Sequence, residues 1–291
     1  MRAALIEELG QPPRLGETAP PERRDGQALV EITAAPINPV DLSIAAGGFY
    51  AGDPELPYVP GVEGFGRVLE AQSLAPGTRV YVTTDGGRGG PGSLTERVAV
   101  DESALTTAPD SLDDGLAACF GVAGLAAWLP LAWRTTCVRA RRCSCSGRAG
   151  RSVRSPYRPR KLLGAGRVVA AARDREGLKR ARARRRRTAE LSAGSGPDDI
   201  AEAIRDGAGG EGIDVTVDIL WGEPMGAAAK ASSPGARIVN VGQSANAEAT
   251  LASATVRGRG SRPLATRTSP PRPRSRRRLT GGWSRRRRRD A

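Results

Sequence analysis

The chain has 291 residues, 39% of them hydrophobic, and a formal net charge of +14 with no histidine. At roughly 100–200 residues per domain this length implies two domains, and the charge by itself points to nucleic acid or another acidic surface. No run approaches the ~18 apolar residues of a membrane span and no secretory pattern opens the chain, so the expectation is a cytoplasmic protein without a membrane partner. Cysteines stand at 119, 137, 143 and 145; Cys143-Ser-Cys145 lacks C-x-x-C spacing, and no metal site is expected.

In chain order, residues 1–100 read as β-rich. "MRAALIEEL", "QALVEITAAPIN", "GVEGFGRVLEAQ", "PGTRVYVTT" and "GSLTERVAVDESALTTAP" are short apolar or alternating runs ended by Pro, Gly and Asp, the pattern of a small barrel or partly open β domain. The segment 111–134, "SLDDGLAACFGVAGLAAWLPLAWR", reads as an apolar helix with Ser111 and Asp114 as a capping box. Gly121 and Gly124 within it permit close backbone approach. From Lys161 the rhythm changes. "GRVVAAARD", "IDVTVDIL" and "GARIVNVGQS" read as strands alternating with the helices "REGLKRARA", "PDDIAEAIRDGAGGEG" and "PMGAAAKAS", which means βαβ units and a parallel sheet. Ligands bind such sheets at the carboxyl ends of the strands, here Ala172–Asp174, Ile219–Gly222 and Val241–Ser244.

Six segments, "APINPVDLSIAAGGFY" (35–50), "LPYVPGVEGFGRVLEA" (56–71), "PGTRVYV" (76–82), "GVAGLAAW" (121–128), "LLGAGRVVAAARD" (162–174) and "PGARIVNVGQSA" (234–245), lie in the order and spacing of one family. Through them the chain resembles the medium-chain dehydrogenase/reductase superfamily, in its zinc-independent quinone oxidoreductase branch. The resemblance implies an α/β fold with a GroES-like β-rich catalytic domain over 1–110 and a Rossmann-type nucleotide-binding domain over 111–259. Zinc-dependent members place a Cys where this chain has Asn38-Pro39 and a His where it has Val62, so the resemblance implies no catalytic zinc. It implies hydride transfer from NADPH to a quinone or enone, with Asn38 and Tyr50 in the cleft. Asn38 is equally well read as a turn former before Pro39. The cofactor-binding candidates are Gly121, Val122, Arg173, Gly222, Gly242 and Gln243. Arg173 at the end of the second strand of the parallel sheet suits a 2′-phosphate and favours NADP(H); Asp174 beside it argues the other way. A homodimer is compatible with the resemblance.

Charge is concentrated in three windows. Residues 135–160 hold eight arginines and no acid, 183–188 hold four, and 260–291 hold twelve with one aspartate. Outside them the chain is acidic on balance. The first window stands where the family has a strand, a glycine-rich turn and a helix for the pyrophosphate, so the sheet domain is expected to be incomplete as written. A shifted reading frame accounts for this. If the intended codons start one nucleotide earlier, the first base of each written codon becomes a middle base, and middle T encodes only Phe, Leu, Ile, Met or Val. Cys143, Ser144, Cys145 and Ser146 all begin with T when the serines use TCN codons, so four consecutive apolar residues underlie them. With GC-rich codons 135–160 regroups to "DDLRPGETVLVLGPRGAVGQIAVQAA". Residues 181–187, shifted the other way, can read "RELGADA", and 260–285 can read "GLATLGHTNFAAPPEVASAAYRRMVE". The window 260–291 is therefore expected to be an out-of-frame, disordered tail.

The alternatives are a basic nucleic-acid-binding protein, or a β-rich binding module with a vestigial nucleotide domain. Against specific nucleic-acid binding, the arginine windows lack interleaved aromatics and any known recognition pattern.

Overall fold

The structure, a computed structural model, describes residues 1–132, 142–146, 166–183, 187–191 and 195–266, with the backbone alone described at 142–146. Two sheets organise it.

The first half is antiparallel. A short hairpin of β1 (Arg2–Leu5) and β2 (Arg14–Glu17) precedes a five-stranded sheet of β3 (Gln27–Ala34), β4 (Glu63–Glu70), β5 (Arg79–Thr83), β6 (Arg97–Asp101) and β7 (Leu105–Thr107), in the order β6-β3-β4-β5-β7. Strand alternation sends Ala28, Val30, Val68, Val80, Val82, Val98 and Val100 into one core. The first half of β4 is buried on both faces. Phe65 points the other way, onto Ala117 and Ala118 of the helix α2 (Asp114–Ala118), and its full burial is worth about 1.5–3 kcal/mol. Beneath this contact Arg79, itself buried, pairs with Asp114 and lies 5.0 Å over the Phe65 ring.

Two features here differ from the sequence reading. The segment "NPVDLSIA" forms a helix, α1 (Pro39–Ala45), with proline at its first position, where a missing N–H costs nothing. The segment 111–134 is not one helix: α2 ends at Cys119, and α3 (Val122–Ala132) starts afresh beyond Gly121. The cap of α2 is Asp113, which accepts from the Leu116 N–H at 2.9 Å, rather than Ser111.

The second half is a six-stranded sheet whose ladders are all parallel: β8 (Arg142–Ser146), β9 (Arg167–Ala172), β10 (Arg187–Glu190), β11 (Ile213–Asp218), β12 (Ser232–Asn240) and β13 (Arg262–Ala265). Their spatial order is β10-β9-β8-β11-β12-β13. Numbered from β8, this is 3-2-1-4-5-6, the doubly wound dinucleotide-binding order, in which the order of strand addition reverses between the first and fourth strands. Helices α4 (Arg175–Ala183), α5 (Pro197–Ala208), α6 (Gly222–Lys230) and α7 (Ser253–Arg259) connect the strands. α5 shows how the sequence sets such an element. Ile200, Ile204 and Ala208 repeat at helical spacing and are buried, Pro197 opens the helix, and Gly209 closes it at φ +87°.

The fold class read from the sequence holds, with one correction. The strand expected to be missing from the first arginine window is present in the backbone. Arg142–Ser146 is the first strand of the sheet, with Cys145 in register with Val217 on one side and Ala170 on the other. Backbone ladders need only N–H and C=O groups, so a side-chain sequence unlike a strand does not forbid the pairing. The supposed tail also contributes: Arg262–Ala265 forms the edge strand beside β12. Residues 147–160, 184–186 and 267–291 of the three windows lie outside the described residues. Among the described residues no helix is long and apolar enough to cross a membrane.

Candidate functional site

Asn38 caps α1 and is only 6% exposed. Its backbone N–H donates to Asp41 Oδ2 at 2.7 Å, and Asp41 Oδ1 accepts from the Val62 N–H at 2.9 Å. One buried carboxylate therefore ties the start of α1 to the residue that precedes β4. Burial pushes the Asp41 carboxyl above the ordinary range, against the pull of these hydrogen bonds.

The next residue, Glu63, is fully buried. Its Oε1 accepts from Asn38 Nδ2 at 2.9 Å; its Oε2 accepts from the Tyr81 hydroxyl at 2.6 Å and from the Val122 N–H at 2.7 Å. These donors come from the cap of α1, from β5 and from the first turn of α3. Burial raises the Glu63 carboxyl too, and Asp41 nearby adds to it, while the three donors oppose the shift. Tyr81 is held firmly protonated by its own burial and by the Glu63 charge.

Gly121 is what lets α3 reach this point. A Cβ there would overlap the Tyr81 hydroxyl and Glu63 Oε2. Gly124, also read as a close-approach position, has its nearest neighbour at 3.5 Å and is not so constrained. The structure thus gathers Asn38, Gly121 and Val122 around Glu63. Tyr50 is not among them: it is 82% exposed, its ring 4.4 Å from that of Phe49.

The other candidates lie at the carboxyl edge of the parallel sheet. Arg173 follows β9 and is exposed. Asp174 turns back onto α4, accepting from the Gly177 N–H at 3.1 Å and pairing with Arg180 at 3.4 Å. After β11, the buried Asp218 accepts from the N–H groups of Leu220 at 3.0 Å and Trp221 at 3.1 Å. It thereby holds Trp221 at φ +59°, ψ −164°, a region that favours glycine. Gly222 follows at φ +64°, where a Cβ would come within 2.9 Å of Asn246. Gly242 accepts from Asn240 Nδ2 at 2.7 Å, and Ser244 and Ala245 donate back to Ile219 and Leu220. The loops after β11 and β12 are one hydrogen-bonded unit, with Gln243 exposed upon it.

The sequence reading missed Asp41, Glu63, Tyr81, Asp218 and Trp221. For Glu63 a signal existed: an acid inside the glycine and apolar run "GVEGFG" is a buried charge unless the strand turns it outward.

Residues 24–110 match the alcohol dehydrogenase GroES-like domain. The chain is 38% identical over 106 residues to the chloroplastic NADPH-dependent alkenal/one oxidoreductase of Arabidopsis thaliana, a match covering 34% of this chain and 28% of that protein. The first curated relatives are thus matched over less than a third of their length. The fold extends the likeness. An alcohol dehydrogenase superfamily protein from Novosphingobium aromaticivorans superposes with a TM-score of 0.76 at 26% identity, over 92% of this chain and 79% of that one. The quinone oxidoreductase of Thermus thermophilus, whose structure was also solved in complex with NADPH, gives 0.72 at 25% identity over 92% and 80%. Residues 24–110 thus form an alcohol dehydrogenase GroES-like domain, and with its doubly wound parallel sheet the chain as a whole is similar in sequence and fold to proteins of the medium-chain dehydrogenase/reductase superfamily.

Proposed function

We propose that this chain is an NADP(H)-dependent, zinc-independent oxidoreductase that transfers hydride to a quinone or enone-type acceptor. The observation that carries the reading is the donor set around Glu63. An amide (Asn38) and an alkyl side chain (Val62) stand at the positions where zinc-dependent members hold ligands. Such a set can orient a carbonyl by hydrogen bonding but offers no tetrahedral nitrogen and sulfur cage. In this reading the second Asn38 Nδ2 hydrogen, beyond the one given to Glu63, is the donor to the acceptor's oxygen, and Tyr50 borders the entrance.

The crevice beside β8 and β11 suits a dinucleotide, and Arg173, exposed and without an ion-pair partner among the described residues, suits a 2′-phosphate. When bound, the nicotinamide supplies the hydride. The chain's residues supply position: the loop unit of Ile219–Gly222 and Val241–Ser244 holds backbone at close approach, with Gly222, Gly242 and Gln243 facing the ligand.

The same reading takes the arginine windows as segments translated from a shifted frame. What supports it is the sheet position of the anomalous residues. An interior parallel strand is ordinarily a continuous Val/Ile/Leu run, and β9 and β11 on either side read "RVVAAA" and "IDVTVD". Between them stands Cys-Ser-Cys-Ser in register, and these are the four residues whose T-initial codons shift to apolar ones. The gene, resequenced, should carry single-nucleotide insertions or deletions near codons 134–135 and 160–161, around 183–188 and near 259–260. Protein purified from its source should lack the 143–146 Cys-Ser-Cys-Ser peptide. DNA and peptide masses that both retain it sink the frame reading.

The activity is tested on the protein encoded by the resequenced gene, by following loss of reduced-nicotinamide absorbance with a quinone and with an enone. Turnover with NADPH, unaffected by a strong chelator, is expected. Turnover lost on chelation and restored by zinc overturns the assignment.

A further inference from the structure

The Glu63 carboxylate receives three hydrogen bonds and, among the described residues, no ion-pair partner. All three partners come hydrogen-first. The Val122 N–H and the Tyr81 hydroxyl meet one oxygen, and the Asn38 amide meets the other through Nδ2. An ionised carboxylate is the one side chain of this size that is acceptor-only on both atoms. Charge-assisted acceptance of this kind is also about twice as strong as a neutral hydrogen bond. The consequence for Asn38 is directional. Its amide is read with Nδ2 toward Glu63, and the neighbour that imposes that choice is the carboxylate itself. The consequence for α3 is positional: the helix that leads toward the parallel sheet has its first residue anchored on that same carboxylate, in a contact that the missing Cβ of Gly121 permits.

We propose that Glu63 is the positioning residue of the cleft, a shared acceptor that orients the Asn38 amide and seats the start of α3, so that the two are mechanically coupled. How Asn38 is held follows from the contacts above; what Asn38 then does rests on the oxidoreductase reading. Glutamine is the informative replacement. It matches glutamate in size but carries two N–H bonds on one terminal atom. It must therefore either turn them on Asn38, forcing that amide to flip, or turn them on Tyr81 and the Val122 N–H, leaving a buried donor unpaired.

The test uses the full protein encoded by the resequenced gene, labelled with ¹⁵N, as wild type, Glu63→Gln and Tyr81→Phe. The expected result for Glu63→Gln is a shift of both the Asn38 side-chain amide pair and the Val122 backbone amide, with the core amides of Val30 and Val98 unmoved. In the kinetic arm, with NADPH and a quinone, kcat falls roughly tenfold or more, as for a misplaced donor, while KM for NADPH stays the same. Tyr81→Phe removes one donor and keeps the carboxylate, so smaller shifts at both reporters are expected; this variant carries the test if Glu63→Gln does not fold. Shifts at neither reporter, or at one without the other, overturn the coupling. A wild-type chain with no hydride transfer defeats the oxidoreductase reading instead, and the resonance arm still decides the role of Glu63.

Discussion

The Asp174 carboxylate accepts from the Gly177 N–H at 3.1 Å, so the acid beside Arg173 is committed to the first turn of α4. That commitment bears on cofactor choice. Asp174 is the residue that argues for a ribose hydroxyl, and its oxygens are engaged by the helix terminus and by Arg180. Arg173 remains exposed at the strand end. A lost charge-assisted contact costs about 1.5–3 kcal/mol, or roughly ten- to hundredfold in affinity. In the protein from the resequenced gene, Arg173→Ala should weaken NADPH by that factor and leave NADH nearly unchanged, as read by calorimetric titration of each. Equal weakening of both would assign Arg173 a structural role. Asp174→Ala should instead cost about 0.5–2 kcal/mol of stability as a lost cap.

Two glycines one turn apart in sequence should respond oppositely. Gly121→Ala places a methyl inside the radius of Tyr81 and Glu63, and overpacking of this sort costs about 1–3 kcal/mol or more. Gly124→Ala meets nothing nearer than 3.5 Å and lies within α3, where alanine is favoured by about 1 kcal/mol. Urea denaturation of both variants checks the pair; equal effects would mean that the contact at Gly121 relaxes freely.

Trp221 offers a test of strain. Its φ of +59° with ψ of −164° is glycine territory, costing of order 1–3 kcal/mol, while its ring packs against the cluster of Met225, Ile238 and Leu251. Trp221→Ala loses the ring and keeps the strain. Trp221→Gly loses the ring and relieves it. The glycine variant should therefore be more stable than the alanine variant by about 1 kcal/mol, the reverse of their order in ordinary backbone. The opposite order in thermal melts would show that the loop shifts out of this conformation.

The buried acids set a pH dependence. Glu63 and Asp41 both have native carboxyls raised by burial. As pH climbs through the ordinary carboxylate range the unfolded chain releases these protons first. Stability they contribute below that range is lost as pH rises through their raised native values. Asp114 has the opposite sign. Hydrogen bonds from Thr33 and Arg79 lower its carboxyl, so its contribution is present above the ordinary range and lost as pH falls through its depressed value. Melting temperature against pH should show a decline on the alkaline side of the carboxylate range that Glu63→Gln flattens, and an acid-side decline that Asp114→Asn flattens. A decline unchanged in either variant removes that residue from the account.

Local elements were legible because their causes are local. The ends of α5 follow from Pro197 and Gly209, α4 from nine consecutive residues after Asp174, and β3 and β6 from alternation with one buried face. The family likeness was legible through segments that keep their spacing. The first strand of the parallel sheet was not. Arg142–Ser146 carries none of the side chains that announce an interior strand, and its place comes from two ladders, to β9 and β11, whose partners are distant in sequence. The edge strand Arg262–Ala265 was hidden in an arginine-rich window for the same reason: parallel pairing joins backbone groups and does not require the side chains to declare it. The site divides likewise. Asn38, Gly121 and Val122 could be picked from motifs one at a time, but their common partner could not. Glu63 acquires its meaning only when α1, β4, β5 and α3 converge, because three donors from three elements must arrive before burying a carboxylate without a cation becomes tolerable.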